Sequence, residues 1–220
     1  MAFIRFFDPM SFGTEFLFTV IAVVFCFLIY FKTKESYQLT KYKGIKYFRV
    51  AFLFFGLSYI LRFLFSLVLL SKIAFDFILP RGMFAPLFIL PLGYFSTIGI
   101  IYLIFSAVWK KFDNKGVHFL AHTVATLLSL ISFFIRSHLI LLYSQTALLI
   151  LVTILSSIAK EKKRLSKTRV LYLLVSLLWL INLLIIGRKK PFSFEIVLFF
   201  EFVSLVVFIV IYHKISKWVK

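Results

Sequence analysis

Arg62 falls near the centre of residues 49–71, RVAFLFFGLSYILRFLFSLVLLS, an apolar run long enough to cross a bilayer. A guanidinium at that depth costs about 3 kcal/mol or more unless an acid or water meets it. The sequence offers two acids, Glu201 in the last apolar segment and Glu15 near the start of the first. Ser58, Arg62 and Ser66 recur at i, i+4 and i+8, with Tyr59 beside them. One face of this helix is therefore polar and turned inward.

Other polar groups fall at a similar depth in their own apolar runs. Counted from the outer end, Arg62, Tyr94, Gln145, Asn182 and Glu201 lie roughly 8–13 Å in at the helical rise. With Tyr59 and Glu15 they form the candidate ligand-binding set, a hydrated cavity open to the outside with Arg62–Glu201 at its charged centre. The same residues also fit a plainer role, an ion pair and hydrogen bonds that hold the bundle together. Ionisable groups inside a membrane point to function by default.

His118, His122, Ala125, Ser129, Ser132 and Arg136 recur at spacings of 4, 3, 4, 3 and 4, a small and polar stripe along one helix. Such a stripe fits central packing against other helices first and a water path second. His118 and His122, one turn apart, could relay protons or ligate a metal. Without a cysteine or acid nearby they do not make a metal site, and the expectation is no metal and no cofactor. HExxH, G-x-S-x-G, a Gly-rich phosphate loop and C-x-x-C are all missing. None of the eight acids forms a spaced pair on one helix of the kind metal-dependent phosphotransfer would need, so a non-enzymatic role is expected.

The elements that must position these residues are transmembrane helices. Of the 220 residues 62% are hydrophobic and mean hydropathy is +1.04, which excludes a soluble domain. The expected fold class is all-α, a polytopic membrane protein in a single domain over residues 1–220. Its seven spans are placed at 13–31, 50–71, 86–109, 117–135, 139–159, 170–187 and 195–212. Phe supplies 31 residues and Gly only 8, so helix contacts should be filled with rings and rarely with close small-residue crossings. Asp8–Pro9 closes an interfacial stub ahead of the first span, and Pro91 should kink the third. The lone Cys26 allows no internal disulfide.

The formal charge of +18 would suggest nucleic acid in a soluble chain. Here the basic residues are divided among short connections and make no phosphate track, so no nucleic acid is expected. They set orientation instead. With the N-terminus outside and the C-terminus cytoplasmic, eighteen Lys and Arg lie inside against seven outside. The expected partners are anionic lipid headgroups at the cytoplasmic face, a cytoplasmic or membrane protein, and a small-molecule ligand. Arg188, Lys189 and Lys190 run against the rule on the last hairpin.

Aligning Arg49 with Arg169 places Tyr59 on Trp179 and Arg62 on Asn182, a 3+1+3 pseudo-repeat of the kind some transporters use. Seven spans with the N-terminus outside resemble microbial rhodopsins in topology alone, since the seventh span has no lysine to carry retinal. Three roles follow for this cell-membrane, multi-pass chain. The first is a sensor or receptor-like module with a polar pocket in its outer half and basic cytoplasmic loops that meet a partner. The second is a small solute or ion transporter using Arg62 to hold an anionic group. The third is a structural subunit of a membrane assembly.

Overall fold

A computed structural model describes residues 9–75, 81–109, 115–135, 137–158, 165–186 and 193–219. Seven α-helices make up the described residues: α1 (Pro9–Thr40), α2 (Lys43–Phe75), α3 (Arg81–Ala107), α4 (Lys115–Ile135), α5 (His138–Ile158), α6 (Leu165–Ile186) and α7 (Phe194–Val219). Six are long and apolar enough to cross a membrane, while the apolar stretch described in α6, Arg169–Ile185, is shorter. The chain is an all-α bundle of membrane-spanning character. Residues 1–8, with Asp8, lie outside the described residues, as do Arg136 and the Arg188–Lys190 cluster.

The basic connection 32–49 is not a loop. Helix α1 continues to Thr40 and α2 begins at Lys43, so the two expected spans carry helical extensions. At 32 and 33 residues each would be roughly 50 Å long, well beyond a hydrocarbon core of ~30 Å. Lys41 makes the reversal with φ at 51°, and its amide still donates to the Tyr37 carbonyl at 2.8 Å. Short polar side chains inside the extensions bond back to their own helix, as Thr40 does to the Ser36 carbonyl at 2.8 Å. Helix α3 runs unbroken through Pro91.

Helices α2 and α3 form the centre. On α2 the buried residues Phe48, Phe52, Phe55, Tyr59, Arg62 and Ser66 follow the helical period. On α3 residues 98–105 are buried all round, and Gly99 admits the Phe55 ring; a Cβ there would lie 2.6 Å from Phe55 Cε1. Helices α1 and α7 each turn one stripe inward, Phe18, Ala22, Cys26 and Ile29 on the first and Ser204, Phe208, Ile211 and Ile215 on the second. Among lipid tails this order comes from dispersion and shape, because lipid is as apolar as leucine. The many rings supply that contact area.

Helix α4 corrects the expectation of central packing. Phe119, Leu120, Leu127, Phe134 and Ile135 are exposed, and only the narrow line of Ala121, Ala125, Ser129 and Ser132 is buried. The small stripe is an interface, but at the rim. Ser129 Oγ would lie 3.2 Å from a Cβ built on Gly93 of α3, so small residues on both helices let them approach closely.

Candidate functional site

Tyr59 fixes a level in the bundle. Its ring meets Phe18 of α1 at 6.2 Å, Trp179 of α6 at 5.9 Å and Phe208 of α7 at 6.2 Å between centroids. Phe55, one turn nearer the Lys41 reversal, stacks on Trp179 at 4.3 Å. These rings, each 3% exposed or less, make a closed aromatic floor.

The next turn of each helix, away from the Lys41 reversal, is polar. Three residues beyond their rings come Glu15 on α1, Arg62 on α2 and Asn182 on α6, and α7 brings Ser204 and Glu201 four and seven residues from Phe208. Arg62 donates from Nε and Nη2 to Glu15 Oε1 at 3.1 and 2.8 Å. The guanidinium carbon also lies 5.9 Å from the Phe18 ring centroid. Asn182 donates one amide hydrogen to the Leu178 carbonyl on its own helix at 2.8 Å, and its Oδ1 has no donor.

The expected Arg62–Glu201 centre does not form; Glu15 is the partner. Glu201 is 4% exposed, feels the charges of Arg62 and Glu15, and keeps Oε1 buried without a hydrogen bond. Arg62 Nη1, Tyr59 Oη, Asn182 Oδ1 and Ser204 Oγ are buried and unbonded as well. Leaving such atoms unpaired costs about 1–3 kcal/mol each, and more for a charged one. An unmet cost repeated on three helices, α2, α6 and α7, in one layer calls for an explanation such as water, an ion or a ligand.

Two of the expected residues stand elsewhere. Gln145 donates from Nε2 to Ser96 Oγ at 2.6 Å and Thr97 Oγ1 at 3.0 Å, and accepts from Trp179 Nε1 at 3.4 Å. Every polar group of its side chain is used, so it ties α3, α5 and α6 together beside the floor. Tyr94 lies away from Arg62 and bonds His122 Nδ1 at 2.8 Å. Tyr102 reaches His122 Nε2 at 3.3 Å, and Tyr47 reaches His118 Nε2 at 3.1 Å. A neutral imidazole must accept from one of its phenols and donate to the other. With both His122 nitrogens engaged the pair is a tie between helices, and no three metal-ligating side chains converge among the described residues.

Sequence reasoning missed Ser204, because one serine in an apolar run carries no signal until its neighbours at 201 and 208 are known to face inward. Trp179 was visible only as the repeat partner of Tyr59.

An uncharacterised protein of Archaeoglobus fulgidus is 31% identical to this chain over 219 residues, which cover 95% of each. The chain belongs to the family of that protein. The match runs through all seven helices, so the family shares the whole bundle and not one segment of it. No family model matches the chain, and no solved structure does.

Proposed function

We propose that this chain is a sensor or receptor-like module of the cell membrane, N-terminus outside, that takes a small ligand into the polar layer from the outer side. The observation that carries this reading is the set of buried, unbonded polar atoms on α2, α6 and α7, seated on a closed floor of rings. Buried unbonded atoms occur singly elsewhere, as at Ser132 and Ser176, but in this layer five of them gather at one level, whereas Gln145 has every group satisfied. Below the floor the buried residues include Phe52, Ile29, Ile211 and Ile215 with the neutral polar Ser106, Tyr172 and Ser176, and no buried charge is among them, which favours a one-sided pocket over a path through the protein.

The helical extensions at the Lys41 reversal suit an output surface. They carry Lys32, Lys34, Lys43, Lys46 and Arg49 on a rigid hairpin where a cytoplasmic partner or anionic headgroups would meet them. Arg49 is held there by Tyr30, which accepts a hydrogen bond from Nη2 at 2.7 Å and stacks its ring 4.4 Å from the guanidinium. In this reading the chain does no chemistry on its ligand, needs no cofactor and binds no nucleic acid.

The test is water access. In a Cys26→Ala background, Ser204→Cys should react with an impermeant thiol reagent added outside, and Ser176→Cys, below the floor on α6, should not. A Ser204→Cys thiol that stays unreacted would leave the layer sealed and sink the proposal.

One observation favours a transporter as the second reading. Tyr59 and Trp179, paired by the Arg49–Arg169 alignment, touch each other, as equivalent residues near a two-fold axis would. Alternating access would then expose Ser176→Cys from the inside in a ligand-dependent way, which separates the two readings.

A further inference from the structure

With Glu201 ionised, the charges in the polar layer do not balance, and that imbalance is the guide to the ligand. Arg62 and Glu15 neutralise each other across 2.8 Å. Among the described residues, Glu201 is then the carboxylate of the layer whose buried oxygen no hydrogen bond meets. In the same layer Arg62 Nη1 and Tyr59 Oη on α2 are also unbonded, and α6 and α7, which pack together, add two unbonded oxygens, Asn182 Oδ1 and Ser204 Oγ. Asn182 commits one of its two amide hydrogens to Leu178 and keeps Oδ1 as an open acceptor, and a serine hydroxyl can turn its hydrogen aside.

Resting on the pocket reading above, we infer that the ligand is a monovalent cation, either an alkali-metal ion or the primary ammonium group of a small solute. It would be held by Glu201 Oε1, Asn182 Oδ1 and Ser204 Oγ. Carboxylate, amide and hydroxyl oxygens are hard donors and suit such a cation. One positive charge brings the layer to neutrality; a divalent ion would overshoot it. The sequence suggested the reverse, an anion on Arg62, but Glu15 already occupies two of that guanidinium's nitrogens.

The test uses the full chain in nanodiscs and follows thermal unfolding by tryptophan fluorescence. Sodium, potassium or methylammonium chloride replaces N-methylglucamine chloride at constant ionic strength. A saturable rise in Tm with at least one small cation is expected, with apparent affinity lowered at least tenfold in Glu201→Gln and several-fold in Asn182→Leu. Response to the metal ions alone identifies an ion site; response to methylammonium alone identifies an amine. Equal Tm in all four salts, or an undiminished response in Glu201→Gln, overturns the inference. So does a rise with sulfate in place of chloride, which would mean an anion on Arg62 Nη1. External labelling of Ser204→Cys decides the pocket independently: labelling without a cation response ends this inference alone, and no labelling ends both.

Discussion

Arg62 grips one oxygen of Glu15 with two nitrogens, yet the two side chains are unequally buried: Arg62 is 7% exposed and Glu15 45%. Removing either partner therefore has unequal cost. Glu15→Ala strands a buried guanidinium, the expensive case, and should lower stability by roughly 3 kcal/mol. Arg62→Leu leaves a half-exposed carboxylate that water or headgroups can reach, and should cost clearly less. The double replacement should recover most of the Glu15→Ala loss. Unfolding in detergent, measured on all three variants, checks the ranking; equal losses in the two single variants would contradict the pair's one-sided burial.

The sign reverses at Glu201. Its buried oxygen has no partner, so replacing the acid with its neutral isostere removes a desolvation cost and breaks no bond. In N-methylglucamine chloride, Glu201→Gln should raise Tm by a few degrees. A fall in Tm would mean that the carboxylate has a stabilising partner after all. This is the cheapest measurement that separates a structural acid from one held ready for a ligand.

Gly99 offers a third check, directed at the floor. An added Cβ would lie 2.6 and 2.7 Å from two carbons of the Phe55 ring, which is itself stacked on Trp179 at 4.3 Å. The ring cannot retreat without disturbing that stack. Gly99→Ala should thus destabilise by about 1–3 kcal/mol, against the usual gain of removing a helical glycine. Tryptophan emission should shift with it. Unchanged stability and emission would show that Phe55 has room to move.

Much of this arrangement was legible in one dimension. Hydropathy located every helix, and the i, i+4, i+8 spacing of Ser58, Arg62 and Ser66 gave the inward face of α2, on which the three are buried. Depth counting failed where helices of different length are offset. Tyr94 and Gln145 matched Arg62 in distance from the outer surface, but lateral position, which no count supplies, put them on the α3–α4 and α3–α5–α6 contacts. The choice between Glu15 and Glu201 was equally invisible, since both stand at plausible depth and only the α1–α2 packing decides which reaches Arg62. The helical extension across 32–49 was hidden by its charge, because lysines end an apolar run without ending a helix.

Orientation remains an expectation from charge, and the reversal at Lys41 gives it a clean test. Lys41 sits at positive φ between two helix ends, exposed, far from the buried layer, so a cysteine there perturbs no packing. Ser193 lies at the opposite end of the bundle, just ahead of α7, and is exposed as well. Cys26 is buried and can be replaced by alanine to silence the background at modest cost. Eighteen basic residues against seven predict that Lys41 faces the cytoplasm. In intact cells Lys41→Cys should thus resist an impermeant thiol reagent until the membrane is opened, while Ser193→Cys should react at once. The reverse pattern would place the polar layer near the cytoplasmic surface. Its ligand would then be an internal solute, and the basic hairpin an external feature.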